Sequence, residues 1–151
     1  MNFRGTKVLI LGLGRYEQGS GVSAARFFIR HGAEVRVTDK KTAKELGETA
    51  RALRGRVTMH VGGHRMSDVR WADIVMRNPG VPHDSPYLAA ARRRRIPIMT
   101  DASLFLELCP CPVIGVTGTR GKSTTTALLG ELVRRTNKKI FVGGNIQRSP
   151  L

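Results

Sequence analysis

Lys7-Val-Leu-Ile-Leu-Gly-Leu-Gly14 decides the fold of this chain. Its short apolar run, ending in a glycine turn, reads as a buried parallel strand, because a strand covered on both faces has no need of polar alternation. A helix is expected from about Gly21 to Arg30, with Val22, Ala25 and Ile29 on one face and Gly32 as its stop. Glu34–Thr38 is the next strand and ends at Asp39. Thr42-Ala-Lys-Glu45 has the spacing of a capping box and predicts a helix reaching about Leu53. Val57–Val61 and Ala72–Met76 read as strands, the second closed by Asn78-Pro79-Gly80. Ser85-Pro86 opens a helix that runs to Arg92-Arg93-Arg94-Arg95. Ile96–Thr100 is a fifth strand and Asp101–Leu108 a closing helix.

Strands alternating with helices at this spacing predict an α/β, Rossmann-like, doubly wound parallel sheet. Its binding crevice should lie at the carboxyl ends of the strands, where Gly12–Gly21, Asp39 and Asn78–Gly80 all fall. Cys109-Pro-Cys-Pro112 breaks the pattern and reads as a linker, since proline removes a donor and disfavours helix before it. The chain divides into residues 1–108, the linker 109–112, and a second unit at 113–151. That unit should hold a strand from Val113, a glycine turn, a helix from about Lys122 to Arg134 and a strand at Ile140–Val142, then Gly143-Gly144-Asn145. One βαβ unit buries no core of its own, so the sequence predicts the start of a truncated domain.

The composition, 151 residues with 40% hydrophobic, fits a globular protein. No apolar run approaches the roughly 20 residues of a membrane span. The first residues enter a strand without a signal-type segment, so a cytoplasmic protein is expected. Cys109 and Cys111 are too close for an easy disulfide and lack the spacing of a zinc site. His60 and His64 have no cysteine pair before them, so no metal site is expected there. The formal charge of +15 invites a nucleic-acid reading, but aromatic content is only 5% and no aromatic–basic interleaving suggests base stacking. Specific nucleic-acid binding is not expected. The arginine run reads as the solvated end of a helix, where cations favour the dipole.

Thr117-Gly-Thr-Arg-Gly-Lys-Ser-Thr124 carries chemistry. A glycine turn opening a helix points backbone N–H groups at an anion, Lys122 adds a compact cation, and Ser123 supplies a hydroxyl for Mg²⁺. The loop is not a standard Walker motif, because Val116 stands where that motif has its first glycine. Nucleotide phosphate is the expected ligand. Gly12-Leu-Gly14 suggests a dinucleotide fingerprint, but the third glycine is displaced to Gly21. Asp39 is placed to accept hydrogen bonds from a ribose or base, or to cap the following turn.

In this order, Val8–Gly14, Val35–Asp39, Asn78-Pro-Gly-Val-Pro82, Ile96–Ile98, Asp101–Leu106, Thr117–Thr124 and Gly143-Gly-Asn-Ile146 resemble the amino-terminal part of the Mur ligases, nearest their D-glutamate-adding branch. The resemblance implies an ATP-dependent ligase joining D-glutamate to UDP-N-acetylmuramoyl-L-alanine through an acyl phosphate. Its first domain would hold the UDP end of the substrate. ATP and Mg²⁺ are the implied cofactors, and a monomer is expected at full length. The match would put Gly118, Thr119, Arg120, Gly121, Lys122, Ser123 and Thr124 on ATP, with Lys122 on the β/γ-phosphates as the catalytic cation and Ser123 on Mg²⁺. Leu13, Gly14, Arg15, Asp39, Lys40 and Gly80 would contact UDP, and Gly144 with Asn145 the muramoyl part.

Three departures stand out: Arg120 where the family usually has asparagine, the Tyr16–Gly19 insertion, and Gln147-Arg-Ser-Pro150 after Ile146. The acidic Mg²⁺ ligand and the amino-acid domain would lie beyond Leu151, so this chain alone is expected to show no turnover. The alternatives left open are another Mur-type ligase, such as the L-alanine-adding one, and a non-catalytic nucleotide-binding module.

Overall fold

The computed structural model describes residues 3–143, 149 and 151. Five parallel strands form one sheet in the order β3-β2-β1-β4-β5, with β1 at Lys7–Leu11, β2 at Glu34–Asp39, β3 at Thr58–Val61, β4 at Ile74–Arg77 and β5 at Ile98–Met99. β1 is central, with Val8 opposite both Val35 and Ile74 in register. Its alternating side chains serve two cores, which is why its sequence is apolar at successive positions. Val8 and Ile10 pack with Val22, Ala25 and Phe28 of α1 (Ser20–Arg30) and with Leu104 of the later α6 (Asp101–Leu108). Leu9 and Leu11 pack on the other face with Val69 of α4 (Met66–Trp71) and with Leu88 and Ala91 of α5 (Pro86–Arg93). Phe3, Phe27 and Phe28 add edge-to-face ring contacts at the first core, with centroids 4.9–6.0 Å apart.

The single helix expected over 42–53 is instead two short ones, α2 (Ala43–Leu46) and α3 (Glu48–Arg51). The capping box forms as read: Thr42 accepts from the Glu45 N–H, and the Glu45 carboxylate accepts from the Thr42 N–H at 2.8 Å. The break comes at Gly47, whose φ of 53° is outside the helical region.

The fifth strand is shorter than expected. Ser85 makes no side-chain cap, and Pro86 alone marks the start of α5. In the second unit the helix forms, as α7 (Lys122–Arg134), but the strands expected from Val113 and at Ile140–Val142 do not. A helix closes its hydrogen bonds within itself, whereas a strand exists only by pairing. Among the described residues no neighbouring strand lies beside these two segments, and Ile114 and Phe141 stand exposed with Leu128 and Leu132 of α7.

Candidate functional site

In this strand order the connections from β1 run to one side and those from β4 to the other, so the loops after these strands part and leave a crevice. A cleft of about 1430 Å³ opens there, lined by the loop after β1, by Asp39–Lys41 at the end of β2, by His64, and by the segment from Asn78 to Tyr87. The N-terminus of α1 points into it. Its N-cap, Gly19, offers no side chain, so the first N–H groups of that helix remain available to an anion.

The loop after β1 is fixed from two directions at Leu13. Its N–H donates to Asp39 Oδ2 at 2.7 Å, and the other carboxylate oxygen accepts the Lys41 N–H at 2.9 Å. On the opposite side, a Cβ added to Gly21 would lie 2.3 Å from the Leu13 carbonyl oxygen, so only glycine lets α1 approach. Gly21 therefore takes the helix-packing role of the third fingerprint glycine, although six residues separate it from Gly14. The Tyr16–Gly19 insertion is absorbed ahead of α1 by a turn closed from the Gly19 N–H to the Tyr16 carbonyl at 2.9 Å. The third wall is a turn: Val81 N–H donates to the Asn78 carbonyl at 2.9 Å, and Gly80 N–H donates to Asn78 Oδ1 at 3.0 Å.

Of the residues expected at UDP, the structure brings Gly14, Arg15, Asp39, Lys40 and Gly80 together on the cleft. Leu13 does not line it. The Leu13 side chain is fully buried in the first core, and its N–H is taken by Asp39. Asp39 performs the turn-fixing alternative read from sequence, and each of its two oxygens already accepts a backbone N–H. Gly144 and Asn145 lie outside the described residues. Gly118 to Thr124 form a separate, exposed loop at the start of α7 and are not part of the cleft wall. Gly121, with φ of 76°, turns the chain into the helix, and the Lys122 ammonium donates back to the Gly118 carbonyl at 2.6 Å.

Sequence reasoning misses His64 and Tyr87 as cleft residues, since neither stands in a motif. Tyr87 Oη donates to the His64 carbonyl at 3.0 Å, their rings meet edge to face at 5.0 Å, and His64 Nδ1 lies 3.1 Å from Thr38 Oγ1. Burial pushes the His64 pKa below its usual value, against the opposing pull of the Asp39 charge, while Lys40 pushes the same way as burial. The imidazole is thus neutral at pH 7. His60, four residues earlier, instead sets Nδ1 against the Asp68 carboxylate at 2.9 Å, so the two histidines do not converge, and no metal-binding group is found among the described residues.

The depressed His64 pKa has a sign that can be tested. Unfolded, the group titrates near 6.5. Below that pH the unfolded chain binds a proton that the folded chain resists, so this contribution to stability is intact above about 6.5 and is lost as the pH falls through the lower folded value. Urea midpoints measured between about pH 7.5 and 5 should fall less steeply for His64→Gln than for the parent. Parallel curves would refute the assignment.

The parallel sheet in this order, with its cleft at the switch point, defines a Rossmann-like domain. The chain belongs to the family described as Mur ligase MurD-like, N-terminal domain, whose family model matches residues 6–100. It is 45% identical over 144 residues to UDP-N-acetylmuramoylalanine–D-glutamate ligase of Anaeromyxobacter dehalogenans (strain 2CP-C), covering 95% of this chain and 30% of that protein. It is 42% identical over 152 residues to the protein of the same description from Roseiflexus sp. (strain RS-1), covering 100% of this chain and 32% of that one. Among solved structures, UDP-N-acetylmuramate-alanine ligase MurC from Thermotoga maritima matches with a TM-score of 0.52 and 27% identity, over 91% of this chain and 32% of that one. The chain spans about a third of the length of the curated relatives it matches.

Proposed function

We propose that this chain is the amino-terminal part of an ATP-dependent ligase that adds D-glutamate to UDP-N-acetylmuramoyl-L-alanine in the synthesis of peptidoglycan precursors. In this reading residues 1–108 hold the UDP end of the substrate, 109–112 link, and 113–151 begin the ATP-binding domain. The observation that carries it is the succession of two anion-receptive helix starts: α1 with its glycine N-cap in the cleft, and α7 behind the Gly118–Lys122 loop. The substrates in the relatives' names supply the rest.

The α7 loop fits a nucleotide phosphate. Its N-terminus has no side-chain cap, every residue from Gly118 to Thr124 is exposed, and the Lys122 ammonium already reaches across the loop to Gly118. Lys122 would neutralise phosphate charge, Ser123 would offer its hydroxyl to Mg²⁺, and the guanidinium of Arg120 would add a second cation. ATP, when bound, would supply a γ-phosphoryl group to the substrate carboxylate with release of ADP, and the amine of D-glutamate would then displace phosphate from the acyl group. In the cleft, Arg15 and Lys40 would meet the diphosphate beside the α1 N-terminus, and Gly80 would let the chain approach the nucleotide closely.

Calorimetric titration of the chain with UDP and with NAD tests the first half. UDP should bind at least about tenfold more tightly, a difference of about 1.4 kcal/mol. Preference for NAD would favour a dehydrogenase-like module and overturn the reading. The chain alone should release no phosphate from ATP in a manner that depends on both UDP-N-acetylmuramoyl-L-alanine and D-glutamate. Such dependence would show that the expected inactivity is wrong.

A further inference from the structure

In a parallel sheet every helix returns the chain to the same edge, so the helix-to-strand turns collect at the end opposite the cleft. In this chain each of the four turns that lead into β2, β3, β4 and β5 carries exposed arginine: Arg30, then Arg54 and Arg56, then Arg70, then the Arg92–Arg95 run. Helix dipoles account for a cation in each last turn, but that attraction fades within the turn. It leaves Arg54 and Arg56, which lie past the end of α3, and Arg95, beyond the Arg94 C-cap of α5, without a helix to serve. Among the described residues, Arg54, Arg56, Arg93, Arg94 and Arg95 make no ion pair and no side-chain hydrogen bond, and Arg92 donates only to the His83 carbonyl. The acidic side chains in these turns are Glu34 and Asp73.

Neighbouring strands are about 4.8 Å apart, so the row of turns spans about 20 Å and successive turns lie within a Debye length of about 10 Å, where their fields overlap. We infer that this edge is a docking surface for an anionic lipid bilayer, engaged while the cleft on the opposite edge stays open. The surface has what a sheet of lipid phosphates needs: many guanidinium groups, spread out and unneutralised. It lacks what a nucleic acid reader needs. Trp71, the indole in these turns, is already covered by the Arg36 guanidinium at 3.9 Å and is not free to stack on a base. The inference does not depend on the ligase reading, since it uses none of the cleft or loop residues.

Flotation of the 151-residue chain with vesicles tests it, comparing pure phosphatidylcholine with vesicles of about 30% phosphatidylglycerol. The chain should float only with the anionic vesicles. The combined variant Arg54→Gln, Arg56→Gln, Arg93→Gln, Arg94→Gln should bind them at least about tenfold more weakly and keep its UDP titration unchanged. A second variant removes the same charge at the cleft end (Arg15→Gln, Lys40→Gln, Lys41→Gln, Arg65→Gln) and should lose less than about twofold. Equal losses in the two variants would mean that bulk charge alone is at work, and the proposal would fail. It would also fail if the chain did not float with anionic vesicles, or if duplex DNA displaced it from them at equal phosphate concentration.

Discussion

Gly21→Ala should lose about 3 kcal/mol or more of folding stability, read as a shift of the urea midpoint at unchanged slope. Helix propensity alone argues the other way, since alanine is favoured over glycine in a helix by about 1 kcal/mol. The sign is decided by space. The new methyl would sit 2.3 Å from the Leu13 carbonyl oxygen and 2.7 Å from Leu13 Cα, and both are backbone atoms that no rotamer change can move. Leu13 is also held from behind by its bond to Asp39, with its side chain locked in the core. Relief would require moving α1 off β1, which breaks the contacts of Val22, Ala25 and Phe28. Gly55→Ala provides the comparison. Its φ of 72° strains an alanine, but nothing lies within 4 Å of the added atom, so that variant should lose only about 1 kcal/mol. Similar losses in the two variants would mean that the approach of α1 to the loop is not what requires glycine. The same Gly21→Ala variant should bind UDP poorly, because the α1 N-terminus that faces the cleft would be displaced.

The position of that glycine shows how far the sequence could be read. The strand Val8–Leu11, its glycine turn and the helix that follows were legible because each rests on local chemistry: an apolar run, a turn residue, and an apolar helix face stopped by Gly32. The role of Gly21 was not, since nothing in the spacing says that so long a loop after Gly14 would fold aside and leave the helix seated on Leu13. Likewise Gly47 gave no warning that it would break the helix begun by the Thr42–Glu45 box, because an isolated glycine is tolerated in many helices. The Val113–Val116 run carries a strong strand signal, yet a strand needs an edge to pair with, which is a property of the whole sheet and not of the run. The loop beside it, by contrast, forms as read: Gly121 and the helix from Lys122 need no partner beyond their own backbone. His64 and Tyr87 became visible only once β2, β3 and α5 were set side by side.

Asp39→Ala should destabilise the fold by about 2–3 kcal/mol and weaken UDP binding along with it, which separates an architectural carboxylate from one that only touches ligand. The Leu13 N–H is buried, and its acceptor at 2.7 Å is a charged oxygen. Removing that acceptor strands a donor that water cannot reach, whereas the Lys41 N–H at 2.9 Å is only part-buried and can turn to solvent. Most of the cost therefore falls on one bond. Asp39→Asn should recover part of it, because its amide oxygen can accept from one of the two N–H groups while its NH₂ faces the other unfavourably. If Asp39 acted on ligand alone, the alanine variant would keep the parent's urea midpoint and lose only affinity. The Asp39→Ala and Gly21→Ala substitutions also meet at one residue. With the Asp39 bond gone, the Leu13 backbone is free to shift away from a methyl added at Gly21, so the double variant should be less destabilised than the sum of the singles by at least about 0.5 kcal/mol. Additive losses would mean that the carboxylate and the glycine fix different parts of the loop, and that Leu13 is not the point where β1, β2 and α1 are tied together to shape the cleft.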